Sequence, residues 1–426
     1  MDTLHTTIAS GLRHLRGTVW VTLDGRRPRD AATSAAVALF ILIAALGAGL
    51  PARAALLFPT SDDEVVERLP WAWDAATRSR QAALARDPKD LPLALTAARD
   101  AIDRSRRHGD PRELGVAQAA LGPWWAMPNP PAAVRLLRAT VRQGLHDFDG
   151  ALTDLDALWA DPTTPLALRA QAGLTRVTVL QVTGRLADAA RACDGLSGLG
   201  GGAGLERIAR ACGAELRSLR GQPAPAAAEL AALAQAAPAD GWIALLRAEL
   251  AQRRGDVAAA EAAFQVAVRD GGDVYARAAY ADWLLEQGRP ADAARTARPD
   301  DNDADALLLR RAIAAHRLAD PGAPALAAEL KARLDAARER GDEPHLREEA
   351  RLALDVMADP ARALVLASAQ WRLQKEPADA VLLQRAARAA GRPDAARPLH
   401  EWAAASGTTP AAIDVRLSDA EPGARR

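Results

Sequence analysis

Turn-forming residues return along this chain at an interval that fits one kind of fold, and that rhythm constrains the structure more than any other feature. The markers are His146, Gly184, Gly221, Gly255 and Gly288, at intervals of 38, 37, 34 and 33 residues, and Gly391 repeats the signal later. Between them alanine and leucine recur at helical spacing, broken by Gly-Asp, Gly-Arg-Pro or Asp-Pro turns, so the pattern is helix, short turn, helix. The clearest unit is WIALLRAELAQRRGDVAAAEAAFQVAVRDGGD, residues 242–273. A single hairpin cannot bury its second face, so a period in this range implies hairpins stacked on one another. Composition agrees: the 49% of apolar residues is mostly alanine and leucine and aromatics are only 4%, which favours helix and starves strands. The expected fold class is all-α.

The residue types around each marker carry a family resemblance. Gly255 is followed by Val257, Ala260, Phe264 and Ala267; His146 by Phe148, Ala151, Leu155 and a closing Pro162; Gly184 by Leu186, Ala189 and Cys193. Gly221 is followed by Ala226, Leu230, Leu233 and Pro238, and Gly288 by Pro290 and Ala293. These units resemble tetratricopeptide repeats (TPR), whose hairpins run about 34 residues with small and apolar residues at such offsets. The resemblance implies an α-solenoid, a right-handed superhelix of about eight TPR-like hairpins over residues 80–408. SRRHGDPRELGVAQAAL, MADPARALVLASAQW and AGRPDAARPLHEW look like degenerate members. Residues 55–79 read as a linker and 409–426 as a flexible tail. CDGLSGLGGGAG, 193–204, reads as a flexible loop, and RTARPDDNDADA, 295–306, as a break where a second helix is truncated.

Residues 31–52, AATSAAVALFILIAALGAGLPA, carry no charge, and about 20 apolar residues suffice for a helix to span the hydrocarbon layer. The preceding segment, 1–30, holds Arg13, Arg16, Arg26, Arg27 and Arg29, which by the positive-inside rule stays cytoplasmic. Pro51 and the A-R-A of residues 52–54 also suit a signal-peptide cut after Ala54. Cleaved signal and retained N-terminal hydrophobic helix both stay open, and both place the repeats in the periplasm or cell envelope. Cys193 and Cys212, the only two cysteines, are then expected to form a disulfide.

Lys and Arg equal Asp and Glu at 54 each, so no net field draws the chain to nucleic acid. Formal motif matches fail on context. Gly198, Gly200 and Ala203 fit a dinucleotide pattern without a preceding strand, and Asp301 to Asp305 lack the glycine and glutamate of a calcium loop. His345, Glu348 and Glu349 lack the second histidine of a zinc protease and read as an exposed first helical turn. No catalytic residue, metal site or cofactor is expected. Of the ten tryptophans, Trp242 and Trp283 are expected in packing between hairpins; Trp124 and Trp125, next to prolines, are the candidates for ligand contact.

The resemblance also places a partner-binding groove on the first helices. Its positions here are Thr140, Gln143, Thr178, Gln181, Glu215, Ser218, Glu249, Gln252, Asp282 and Leu285. That surface is expected to be polar at one end and increasingly acidic toward the other. The expected function is a non-enzymatic scaffold or assembly factor for a peptide or partner protein. The alternatives are an envelope enzyme acting on glycan, which needs paired carboxylates about 5–9.5 Å apart, and an accessory subunit of a membrane complex.

Overall fold

The structure, a computed structural model, describes residues 72–269, 273–299, 304–340, 345–414 and 416–417. Outside the described residues lie the basic segment 1–30, the apolar run 31–54 with its cleavage site, most of the 55–79 linker, Asp301 to Asp303, and residues 418–426. No helix of the described residues is long and apolar enough to cross a membrane.

Every element described is helical. The chain opens with α1 (Ala75–Arg86), α2 (Leu91–His108), α3 (Arg112–Ala120) and the single turn α4 (Gly122–Trp125). Hairpins follow as α5 (Ala132–Gly144) with α6 (Phe148–Ala160), α7 (Leu166–Val182) with α8 (Leu186–Ser197), and α9 (Gly202–Leu219) with α10 (Pro223–Ala236). Next come α11 (Gly241–Arg253) with α12 (Val257–Ala267), and α13 (Val274–Glu286) with the short α14 (Pro290–Thr296). The last are α15 (Asp305–Arg317) with α16 (Ala323–Glu339), α17 (Leu346–Asp355) with α18 (Pro360–Leu373), and α19 (Pro377–Ala389), followed by α20 (Arg397–Ala405) and α21 (Pro410–Ile413). Helix thus begins at Ala75, inside the expected linker.

The markers turn the chain by one mechanism. His146, Gly184, Gly221, Gly255, Gly288 and Gly391 all take φ between 66° and 83°, the left-handed conformation that ends a helix. The amide after each marker reaches back to the same place: Arg185 N to Leu180 O at 2.8 Å, Asp256 N to Ala251 O at 2.9 Å, Arg289 N to Leu284 O at 2.9 Å. Two further turns use alanine: Ala319 at φ 51° and Ala358 at φ 52° close α15 and α17. Their Cβ atoms hid them from a search for glycine. The next helix is then started by a side chain, as where Asp256 accepts from Ala259 N at 3.1 Å and Asp147 from Gly150 N at 2.9 Å.

Five residues past each marker the two helices approach most closely, and only a methyl fits. Ala151, Ala189, Ala226, Ala260, Ala293, Ala363 and Ala396 occupy that position, and none is more than 3% exposed. Leu155, Cys193, Leu230 and Phe264, four residues on, fill the space toward the neighbouring hairpin. Phe264 stacks on Tyr280 at 5.3 Å, and Tyr280 on Trp283 at 6.0 Å, so Trp283 is a packing residue. Cys193 on α8 and Cys212 on α9 are joined by a disulfide, with Cα atoms 6.1 Å apart. The intervening loop is shorter than its glycines imply, because α8 runs to Ser197 and α9 starts at Gly202.

The row of hairpins returns on itself. On one side α2 touches α13, where a Cβ on Gly109 would stand 3.1 Å from that of Ala304. On the other, Lys375 N donates to Val182 O at 2.8 Å, Trp402 Nε1 to Gly184 O at 3.1 Å, and Thr408 Oγ1 to Leu219 O at 2.8 Å. Gly184 therefore serves twice: it takes the left-handed turn, and a Cβ there would meet Trp402 Nε1 at 2.5 Å. The expected frayed tail is corrected at its start. Residues 410–413 are helical and Ile413 and Leu417 are buried, because they complete the apolar cluster around Trp371 and Leu399.

Candidate functional site

First helices face inward, as the stacking of two-helix units requires, and their inner sides enclose a cavity of about 1120 Å³. Thr140, Gln143, Gln181, Glu215, Glu249, Gln252 and Asp282 all line it, and so does Leu285. Thr178 does not: it is buried, and its hydroxyl donates to Leu174 O at 3.1 Å within α7. Ser218 is likewise buried, accepting from Arg253 Nη2 at 3.2 Å.

The repeat resemblance pointed to those positions, but it did not anticipate what faces them. Arg310 and Arg317 on α15, Arg347 and Arg351 on α17, and Arg385 and Arg388 on α19 enter the same cavity. The expectation of an increasingly acidic wall is thereby corrected. Asp282 is held between two arginines, with Arg310 Nε at 3.0 Å and Nη2 at 2.6 Å and Arg351 on its other side. Burial pushes the Asp282 carboxyl upward, but Arg310 and Arg351 outweigh it and hold the group below the ordinary carboxylate value. Arg351 extends the chain of charges to Asp355 at 3.1 Å, which also meets Arg385. Arg347 clamps Asp379 at 2.7 Å and Glu376.

The remaining carboxylates of the wall are also engaged. Glu215 accepts from Gln181 Nε2 at 2.9 Å, Glu249 from the Tyr275 hydroxyl, and Glu286 from Gln252 Nε2 at 2.9 Å. Asp256 and Asp273 cap helix starts, Asp305 meets Arg333 at 3.2 Å, Glu348 lies 3.9 Å from Arg310, and Asp414 and Glu286 share Arg416. These residues are partners of the scaffold before they are partners of anything else.

Chemistry finds little purchase here. Glu215, Glu249 and Asp282, the carboxylates a glycan-cleaving enzyme would draw on, are each bonded to a neighbouring side chain, and the arginines keep Asp282 ionised. Glu348 and Glu349, expected on an exposed turn, are buried instead. Glu349 bonds Arg338 at 3.0 Å and also Arg362, so these glutamates hold α17 to its neighbours. Among the described residues no group of histidine, cysteine and carboxylate side chains could hold a metal ion. Trp124 and Trp125 pack on the core of α2 and α3, and the Arg142 guanidinium lies 5.7 Å from the Trp125 ring centre, so neither is set aside for a ligand. Trp242 and Trp402 do line the cavity, each with part of its ring in the core.

Fold and cavity together define a class: an all-α array of TPR-like helix hairpins around a cavity lined by charged, polar and apolar side chains. No protein-family model and no curated protein sequence matches the chain. Among solved structures it is similar to the TPR domain of P58(IPK), at 17% identity over 74% of this chain and 93% of that one, with a TM-score of 0.19. So low a score carries no weight, and the class rests on the repeated turns and buried alanines themselves.

Proposed function

We propose that the protein is a non-enzymatic scaffold that holds an extended segment of a partner protein in its central cavity. One observation carries the reading: Thr140, Gln143, Gln181, Glu215, Glu249, Gln252 and Asp282, drawn from successive first helices, line a single space. Side chains spaced one hairpin apart suit a ligand that is long rather than compact, because each hairpin offers the next stretch of it a similar surface. The described hairpins coil, on this reading, as a right-handed superhelix. The apolar run 31–54 and the cysteine pair support a site of action in the periplasm or cell envelope, reached by a cleaved signal or held by a retained anchor.

The test is affinity capture from envelope fractions with the wild-type chain and with a Thr140→Trp, Gln252→Trp double variant. Both substitutions put bulk into the cavity without touching the alanine seams. The same proteins recovered equally by both would remove the cavity from the function.

A further inference from the structure

The charged groups of the cavity divide into two sets. Every carboxylate that lines it has a partner, whereas several cations have no carboxylate. Arg253 is the sharpest case. It is only 8% exposed, its one bond is to Ser218 Oγ at 3.2 Å, and its Nε has no hydrogen-bond partner. Gln384, 5% exposed on α19, lines the cavity with an unpartnered Nε2. An unpaired buried cation costs folding free energy, and so does an unbonded buried amide; such groups persist where something else satisfies them.

Lys375 repeats the theme from the other wall. Burial pushes its ammonium below the ordinary lysine value, with Asp379 pulling weakly the other way. Its Nζ meets only the Trp371 carbonyl at 3.3 Å and the Trp371 ring, 5.8 Å from the ring centre. Arg253 reaches the end of α9 through Ser218, and Lys375 the end of α7 through Val182 O. Both cations thus lie along the edge where the last hairpins meet α7 and α9. Arg388, exposed at the end of α19, adds a third cation without a carboxylate.

Resting on the reading above, we infer that the cavity selects an acidic segment, whose Asp or Glu side chains meet Arg253, Lys375 and Arg388. The chain as a whole carries no net charge, which argues against a nucleic acid drawn by a long-range field. Apolar side chains between the cations, Trp242, Trp402 and Val381, offer the contact that an extended peptide backbone needs.

The experiment is fluorescence anisotropy of the full chain with three labelled peptides of equal length and apolar spacing, carrying glutamate, glutamine or lysine at the polar positions. The glutamate peptide is expected to bind, to weaken as salt is raised, and to lose roughly tenfold in affinity in Arg253→Met. Lys375→Met and Arg388→Gln, at less buried positions, are expected to give smaller losses and guard against a folding failure of the first variant. Binding of the glutamine or lysine peptide as tightly as the glutamate one would overturn the charge preference and leave the peptide scaffold standing. Binding of none of the three, or of single-stranded nucleic acid instead, would overturn both.

Discussion

Hairpins α7 to α12 and helices α15 to α19 stack in the same way but lean on different forces, whereas α5 and α6 share both, with Arg138 clamping the buried Asp154 at 2.6 Å. In the first region a buried alanine sits at each closest approach and apolar residues fill the seam between units. In the second, the inner faces are tied by a run of charges, from Asp282 through Arg310 and Arg351 to Asp355 and Arg385, with Arg347 on Glu376 and Asp379 beside it. Apolar seams are indifferent to pH and salt, whereas charge clamps depend on both. The middle hairpins α7 to α12 are therefore the more passive part of the frame, and α15 to α19, which add charge clamps to the apolar cluster around Trp371 and Leu399, are the part that can respond to its surroundings.

Four changes would break or sharpen that contrast. The largest effect is expected from Asp282→Ala, which removes the carboxylate shared by two largely buried arginines and leaves Arg351 with Asp355 and Arg310 with the more distant Glu348; about 3 kcal/mol is lost, since Asp282 keeps some contact with water. Acid does the same gradually. Asp282 and Asp355 titrate below their ordinary value, so their contribution is whole above the unfolded-state pKa and disappears as pH falls through the depressed one. Hydrogen exchange followed downward in pH is expected to open α15 to α19 before α11 and α12; loss of both regions together would erase the distinction.

Removing the Cys193–Cys212 bond by a double serine substitution is expected to cost ~2–3 kcal/mol, seen as a lower urea midpoint, because it frees a loop spanning a sequence separation of 19. In the apolar region Ala260→Leu forces a larger side chain into a closed seam and is expected to cost about 1–3 kcal/mol, unchanged by salt. The smallest effect has the opposite sign. Ala319→Gly relieves a left-handed alanine and is expected to stabilise by roughly 0.5–1 kcal/mol in thermal melts.

The same contrast explains what the sequence made legible. Glycine in a left-handed turn and alanine at a helix crossing have local causes, so the turns at Gly184, Gly221 and Gly255 could be read from spacing. Ala319 and Ala358 do that task without glycine's signature, and the unit turned at Ala358 looked degenerate for that reason. The repeat resemblance likewise pointed to most of the groove positions that line the cavity, because each is counted from a turn marker of its own hairpin. It could not reveal that Arg310 and Arg351 would meet Asp282 across 28 and 69 residues of chain, which turned an apparently acidic wall into a clamped one. Thr178 failed because neighbouring residues bury it; the bond of its hydroxyl to its own helix is one that Thr140, which lines the cavity, also makes.

The decisive measurement is site-specific photocrosslinking in intact cells, with the reactive group at Gln181 or Gln252 inside the cavity and at Val365 on the exposed outer side of α18. The cavity positions are predicted to capture one short acidic segment of one partner, in successive stretches, while Val365 captures nothing in common with them. The same partner caught from Val365 and not from the cavity would contradict it.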